Sequence, residues 1–449
     1  MRTGAQAIAR RLFASLPPGF IRDSAHQYGV MVGVIVGEFL FTAVLARGLG
    51  PRDFGLVVMF LSVARICQGI TDLRVHEFVI RYAEHARAAG DKNALARTLR
   101  KGLALDLLST LAGLVLAIGF ALIAPQLLRG GVEHRDLLLW AACASTAAWG
   151  GRYWSLGVFR LFHRVDLQAR VQLGGSFGKL ILTAAWFVIL GASAKAGLVI
   201  ATVWGGLASA TLVLAAVHVG RKEVAKLGDS APTETLWSDS HVFLASNYLV
   251  GLLDTAYREL DVQLVGWLGT YEQVSIYKLA KTFAGAVLQI VDPVVILLMP
   301  QFARDLAAKR FAELRRFIAQ LTAVFTTVGL VVGVASHFIV PWLLPRIIGT
   351  QYTPVGGVFR IIVWCVVVSM PLLWTHPLCI ALGRPQLFLA ASVGGVATLA
   401  GLSYLLVPAI GAAGAGWAYG AALNMVAILT VILLALAFRQ FNEQRTAQG

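Results

Sequence analysis

Long apolar stretches, each about as long as a membrane-spanning helix, follow one another along almost the whole chain. A helix needs about 20 mostly apolar residues to cross the hydrocarbon core of a bilayer. Clusters of Gly, Pro and charged residues separate twelve such stretches, at 27–47, 54–73, 102–124, 136–158, 168–190, 196–218, 241–266, 274–299, 317–340, 355–380, 386–408 and 414–438. The pattern predicts an all-α, polytopic membrane protein with about twelve transmembrane helices.

The composition supports this prediction and excludes an ordinary soluble enzyme. Of the 449 residues, 58% are hydrophobic and 14% are charged, whereas a soluble domain carries roughly 25% charged residues. The four cysteines lie inside apolar stretches and form no CxxC pair. We therefore expect neither a disulfide framework nor a metal site.

The distribution of the basic residues predicts the orientation in the membrane. The formal net charge is +15, from 38 Lys and Arg against 23 Asp and Glu. The N-terminal arm and every second segment after it hold 26 of the 38 basic residues, the alternate loops hold six, and six lie within spans. Because cytoplasmic loops are enriched in Lys and Arg, both termini are predicted to be cytoplasmic. The same spread over seven segments argues against a nucleic-acid partner.

An internal repeat is indicated when the chain is shifted by about 220 positions. The shift aligns Asp72 with Asp292, Arg164 with Arg384 and Gly191 with Gly411. Repeated helix bundles are common in transporters. We predict two pseudo-symmetric six-helix bundles, arranged as a cytoplasmic N-terminal arm (1–26), a first bundle (27–218), a cytoplasmic linker (219–240), a second bundle (241–438) and a cytoplasmic tail (439–449).

Ionisable side chains inside the predicted spans mark candidate functional residues. Each costs about 2.5 to 3.5 kcal/mol on insertion scales, so it normally faces a wet cavity or pairs with another charge. Steps of three and four residues place polar residues along one face of span seven and one face of span eight. Arg258 and Lys281 are predicted at similar depths, about 10 to 12 Å from the outer turn between these spans.

The intramembrane charges suggest a cationic cavity for an anionic group such as pyrophosphate, which guanidinium and ammonium groups bind well. The predicted substrate contacts are Arg65, Arg258, Lys278, Lys281, Arg360 and Lys179. The predicted coupling or gating residues are Glu38, Asp72, Asp254 and Asp292, with H⁺ or Na⁺ as the candidate coupling ion. Internal neutralisation is the alternative, with Arg258 paired to Asp254 or Asp261 and Arg65 paired to Glu38.

No enzyme signature stands out in the sequence. Glu259 and Asp261 form an acidic pair of the kind seen in membrane glycosyltransferases, but such enzymes need a substantial external loop, and the predicted external loops are short. A Gly-rich phosphate-binding loop of the ATPase type is absent from the sequence. We expect a transporter that has no catalytic residues and needs no cofactor.

Several segments resemble Wzx-type oligosaccharide flippases, the polysaccharide branch of the multidrug, oligosaccharidyl-lipid and polysaccharide exporter superfamily. They are ARGLGPRDFGLVVMFLSVARICQGITDLRVHEFVIRYAEHA (Ala46 to Ala86), LGTYEQVSIYKLAKTF (Leu268 to Phe283), MPQFARDL (Met299 to Leu306), IGTQYTPVGGVFRII (Ile348 to Ile362), ALGRPQLFLAAS (Ala381 to Ser392) and LVPAIGAAGAGWAYG (Leu406 to Gly420). The resemblance covers nearly the whole chain. It departs at Arg74 and Ser275, where the family usually has Gly.

The resemblance implies transport of undecaprenyl-pyrophosphate-linked oligosaccharides across the inner membrane, by alternating access of two six-helix lobes around a cationic cavity. It implies a role in O-antigen or exopolysaccharide assembly, with a polysaccharide polymerase and chain-length proteins as candidate partners. We expect a monomer. A cation-coupled multidrug exporter of the same superfamily is the main alternative, and a membrane glycosyltransferase or polymerase is a weaker one.

Overall fold

The computed structural model describes residues 20–227, 240–289, 292–308 and 310–446, and the helices in this part of the chain cover most of it. In chain order they are α1 (Phe20–Thr71), α2 (Val75–Ala88), α3 (Lys92–Ile123), α4 (Arg135–Trp149), α5 (Arg152–Leu161), α6 (Val165–Leu190), α7 (Ala194–Ala225), α8 (Ser240–Leu268), α9 (Tyr271–Gln289), α10 (Asp292–Ala307), α11 (Phe311–Ile348), α12 (Val355–Ser369), α13 (Thr375–Ala381), α14 (Pro385–Ile410) and α15 (Ala412–Thr446). Most of the predicted N-terminal arm and of the predicted linker lies outside the described residues.

The all-α, polytopic fold predicted from the sequence is confirmed. The described residues contain no strand, and eight of their helical stretches are long and apolar enough to cross a membrane. Each of the twelve predicted stretches nevertheless lies mostly on described helices, although residues 290 and 291 of the stretch 274–299 lie outside the described part. The two counts differ because α1 holds two stretches on either side of a kink, the stretch 136–158 is divided between α4 and α5, the stretch 274–299 is divided between α9 and α10, and α8 carries several charges.

Two of the interruptions in the helices lie at glycines whose backbone angles are outside the helical region. Gly50 lies inside α1 with φ 77° and ψ 171°, outside the helical region, and kinks the helix between its two apolar stretches. Gly151, with φ 72°, separates α4 from α5. Glycine adopts a positive φ without the steric cost that a Cβ imposes, so these two glycines permit the helices to change direction there.

The internal repeat is visible in the helix bounds. Arg135–Trp149 and Val355–Ser369 begin and end 220 positions apart, and so do Val165–Leu190 and Pro385–Ile410. The left-handed residue His163 (φ 54°) has its counterpart 220 positions later in Gly383 (φ 68°). The offset found in the sequence therefore extends to the helix ends and to the turn between two helices.

The chain forms two compact units. The first unit is Asp23–Trp267, and the second contains Leu268–Gly449. The sequence instead begins the second bundle at residue 241, so α8 is the element whose assignment differs. The reason is local packing: the Gln263 side chain donates a hydrogen bond to the Met59 carbonyl (2.9 Å). A Cβ on Gly69 would also collide with Thr255, so this glycine permits a close approach of α8 to α1.

The core of the first unit includes a buried cluster formed by α2, α3, α5 and α7. Phe78, Trp154 and Phe159 are among its largest members. The Trp154 indole donates a hydrogen bond to the Leu99 carbonyl (2.8 Å). The Asp106 carboxylate accepts one from the Trp154 backbone N–H (2.9 Å). Asp106 on α3 therefore caps the first turn of α5, where N–H groups lack partners within the helix.

We predict that Asp106→Leu lowers the free energy of unfolding by about 1 to 3 kcal/mol, because it leaves a buried N–H without an acceptor. The measurement is the thermal unfolding midpoint of the purified protein in detergent. Asp106→Asn is the matched control, since it keeps an acceptor oxygen and should lie much closer to the parent protein. Equal midpoints for the leucine and asparagine variants would contradict the capping role.

Candidate functional site

A cavity of about 680 Å³ lies within the first unit, and we call it the first-unit cavity. Residues of α1, α3, α4, α5, α6, α7 and α8 line it. Its charged lining residues are Glu38, Arg65, Asp72, Asp106, Arg152, Lys179, Asp254, Arg258 and Glu259. The cavity thus concentrates ionised groups inside helices that are otherwise apolar.

Six of the ten predicted site residues line this cavity. They are Glu38, Arg65, Asp72, Lys179, Asp254 and Arg258. Lys278, Lys281 and Arg360 lie in the second unit. The side chain of Asp292 lies outside the described part of the structure.

Glu38 on α1 is held by α6. The Lys179 ammonium donates to both carboxylate oxygens of Glu38, at 2.9 Å and 2.7 Å, and the Ser176 hydroxyl donates to one of them at 2.9 Å. Lys179 also lies over the Phe41 ring, 4.1 Å from its centroid. The suggested pairing of Glu38 with Arg65 is therefore wrong: Lys179 is the cation that α6 brings to this carboxylate.

Arg65 on α1 pairs with α8 instead. A guanidinium nitrogen of Arg65 lies 3.4 Å from a carboxylate oxygen of Glu259. The neighbouring Ser62 hydroxyl donates a hydrogen bond to the Glu259 carbonyl (3.2 Å). Because the Glu259 side chain is only 11% exposed, this pair places an opposite charge beside a carboxylate that has lost most of its contact with solvent.

Arg258 pairs with Asp254 one turn earlier on α8. The Arg258 Nε donates a hydrogen bond to an Asp254 oxygen at 2.9 Å. This is one of the two partners offered by the internal-neutralisation alternative. The Arg258 side chain is 70% exposed, far more than that of Arg65, so its guanidinium has the most open surface in the cavity's three ion pairs.

The structure adds charged residues that the sequence did not single out as site residues. Arg152 lines the cavity and lies over the Trp149 ring at 5.3 Å. It lies near the end of the predicted span 136–158, where a long basic side chain is expected to reach the membrane surface, so the sequence places it with the adjoining loop and not in a cavity. Asp106 and Glu259 were available as acids within predicted spans, but their partners come from helices that the sequence does not place nearby.

The cavity is close to charge balance. Among the described residues that line it, four are basic and five are acidic. Asp72 and Asp106 accept hydrogen bonds from backbone N–H groups, of Arg74 and Trp154 respectively. The positive charge expected from the sequence is thus matched here by carboxylates on neighbouring helices.

Two of the predicted residues in the second unit also have polar or aromatic partners. The Lys281 ammonium lies 4.7 Å from the centroid of the Tyr419 ring. The Arg360 Nε donates to the His337 carbonyl at 3.4 Å, and the His337 ring accepts a hydrogen bond from the Trp364 indole at 3.1 Å. Attraction to an aromatic face is favourable for a cation, so the Tyr419 ring stabilises the Lys281 ammonium, whereas Arg360 has a backbone acceptor.

Solved structures of membrane transporters have a fold similar to this multi-pass helical fold. An inward-facing multidrug resistance MATE family transporter of the MOP superfamily is similar with a TM-score of 0.71 and 13% identity, covering 92% of this chain and 96% of that one. The lipid II flippase MurJ in an inward closed conformation has a TM-score of 0.65 and 12% identity, covering 92% and 87%. At these identities the likeness concerns the fold.

The amino-acid sequence also matches a known protein family. Residues 28–305 match the family described as polysaccharide biosynthesis protein. The match covers more than half of the chain, and the chain belongs to this family. No curated protein gives a significant match. The matched segment contains every residue that lines the first-unit cavity.

We predict that Lys179→Met destabilises the protein by about 1 to 3 kcal/mol, because it removes the cation that holds the Glu38 carboxylate. The double variant Glu38→Gln with Lys179→Met should regain most of this loss, since it removes both charges. Thermal unfolding midpoints in detergent measure both effects.

Lys195→Met serves as the control for removing a lysine. Lys195 lies 3.9 Å from Asp136, and both side chains are more than half exposed; such pairs contribute about 0 to 1 kcal/mol. A double variant as unstable as Lys179→Met alone would show that the pair does not account for the loss.

Proposed function

We propose that this protein is a flippase that moves undecaprenyl-pyrophosphate-linked oligosaccharides across the plasma membrane by alternating access, for O-antigen or exopolysaccharide assembly. The observation that carries the proposal is the first-unit cavity, an ionised space among apolar membrane-spanning helices, inside the segment that matches the polysaccharide biosynthesis family. Ionisable groups at membrane depth are costly and generally mark a substrate or ion pathway.

In this proposal the basic residues contact the pyrophosphate while the lipid tail stays in the bilayer. Arg258, Lys278 and Lys281 are the principal contacts. The 70% exposure of the Arg258 side chain supports its role as a pyrophosphate contact. Arg65 joins them in contacting the pyrophosphate, and Lys179 and Arg360 complete the proposed set of basic contacts. The oligosaccharide occupies polar space during the step, since sugar hydroxyls would lose their hydrogen bonds in lipid.

Transport of this kind needs an energy source, and we propose coupling to an ion gradient through acidic residues. Glu38, Asp72, Asp254 and Asp292 are the candidate residues for coupling to H⁺ or Na⁺. The protein works as a monomer with both termini cytoplasmic, and supplies its product to a polysaccharide polymerase and chain-length proteins. The excess of basic residues on one set of loops supports this orientation.

Deletion of the gene tests the proposal directly. We expect surface polysaccharide to be lost and undecaprenyl-linked oligosaccharide to accumulate on the cytoplasmic side, because its formation continues while its translocation stops. Lipid extraction followed by mass spectrometry measures the accumulation, and a plasmid copy of the gene should reverse it. Unchanged surface polysaccharide in the deletion strain would overturn the proposal.

The principal pyrophosphate contacts are tested by reversing two charges. The double variant Arg258→Glu with Lys281→Glu should abolish polysaccharide export while the amount of folded protein stays near normal, because two carboxylates repel the pyrophosphate. Arg52→Glu with Lys195→Glu is the matched control, since both residues are exposed and lie in predicted outer loops. Retained export by the cavity variant would show that these two residues are not required.

A cation-coupled multidrug exporter is a second candidate, favoured by one specific observation. Five acidic residues line the first-unit cavity, and carboxylates attract cationic drugs. Dye efflux separates the two functions: a deletion strain that retains ethidium, with normal surface polysaccharide, would favour the exporter.

A further inference from the structure

The first-unit cavity has aromatic and uncharged polar walls in addition to its ion pairs. Phe41, Trp149, Tyr153 and Trp204 all line it. The ring centroids of Trp149 and Tyr153 are 5.1 Å apart, with an angle of 34° between the planes. The Trp204 indole is fixed by a hydrogen bond of 2.7 Å to the Gly175 carbonyl, and a Cβ on Gly178 would collide with its ring. Tertiary contacts therefore hold Trp204 in position.

Several polar groups of the cavity keep unused hydrogen-bonding capacity. Tyr153, Trp149 and Gln172 are lining residues of the cavity, and the Tyr153 hydroxyl, the Trp149 indole N–H and the Gln172 amide make no hydrogen bond to the described residues. The Ser145 hydroxyl is also without a partner there, although the residue is only 4% exposed. Buried polar groups generally have a partner. The cavity lining thus combines hydrogen-bonding side chains with aromatic rings.

The ion pairs of Lys179 and Arg65 do not favour an anion beside them, whereas the Arg258 guanidinium is the exposed cation that the proposed pyrophosphate contact uses. Lys179 is held by Glu38, Arg65 contacts Glu259, and Arg258 contacts Asp254. An anion that displaced one of these carboxylates would leave it without its counter-ion, at a cost that grows as the dielectric constant falls. The fixed ion pairs instead present local dipoles, which suit a neutral ligand with many hydroxyl groups.

We propose that the first-unit cavity binds uncharged sugar rings of the transported oligosaccharide. A pyranose has an apolar C–H face that fits the electron-rich face or edge-on packing of aromatic rings. Its rim of hydroxyl groups donates and accepts hydrogen bonds, which the open groups of Trp149, Tyr153 and Gln172 complement. The cavity volume lies within the range of about 300 to 1,000 Å³ that is usual for small-molecule sites. This inference rests on the proposed function, because it assigns the glycan portion of that substrate to a particular set of residues.

Binding of soluble disaccharides to the full-length protein in detergent tests the inference. The probes are four neutral disaccharides of different configuration, cellobiose, lactose, mannobiose and N,N′-diacetylchitobiose, together with digalacturonate and inorganic pyrophosphate. Saturation-transfer difference NMR reports which probes contact the protein. We expect at least one neutral disaccharide to bind, and to bind at least tenfold more tightly than digalacturonate to the same site.

Variants connect this binding to the cavity. Trp149→Ala should weaken neutral disaccharide binding at least tenfold, because it removes a wall of the site. Tyr153→Phe keeps the ring and should weaken binding about threefold to tenfold, through one lost hydrogen bond. Trp186→Ala is the matched control, since Trp186 lies on α6 outside the cavity and is 39% exposed; its binding should equal that of the parent protein.

The outcomes separate this inference from the proposed function. Export that depends on the gene, without binding of any of the four neutral disaccharides, overturns the inference and leaves the flippase proposal intact. Preferential binding of digalacturonate or pyrophosphate that Trp149→Ala abolishes also overturns it. Normal export in a deletion strain overturns the flippase proposal, whereas disaccharide binding can still be measured. If Trp149→Ala does not fold, Tyr153→Phe decides: unchanged binding contradicts the assignment.

Discussion

The constraint on which the rest of this structure depends is the cost of an ionised group among membrane-spanning helices. A carboxylate or guanidinium that leaves water needs an opposite charge or hydrogen-bond donors close by. Glu38 meets this need through Lys179 and Ser176, and Glu259 meets it through Arg65. Each of these solutions joins two helices, so pairing the charges also fixes which helices surround the cavity.

Breaks within helices and close contacts between helices bring the charged partners within reach of one another. Gly151 turns the chain between α4 and α5, and Asp106 then caps the first turn of α5. Glycines at 69 and 178 allow Thr255 and Trp204 to approach where any larger residue would collide. Small residues at such contacts let membrane helices approach closely, where dispersion and interhelical hydrogen bonds replace the hydrophobic driving force of soluble proteins. The cavity lies where these close contacts leave space between the helices.

The recurrence of helix ends 220 positions apart indicates that two halves of the chain share one folding pattern while differing in their polar chemistry. The first unit surrounds its cavity with paired acids and bases. In the second unit, Lys281 lies near Tyr419 and Arg360 contacts a backbone carbonyl. A common helical framework with different side chains allows one half to specialise without a change of fold. The proposed binding of sugar rings in the first-unit cavity depends on side chains of the first unit alone.

The sequence by itself determined the helices, their membrane setting and the 220-residue repeat, because hydrophobic length and turn residues act locally along the chain. It also identified six of the residues that line the cavity. For Arg258 it offered Asp254 and Asp261 as partners, since residues three or four apart share one helix face, and the structure selects Asp254. Only the tertiary structure decided that Glu38 belongs with Lys179, that Arg65 belongs with Glu259 and that α8 packs with the first unit. Periodicity gives the direction of a side chain about its own helix axis, but the neighbour it meets depends on how distant helices pack, and the charge balance of the cavity follows from that packing.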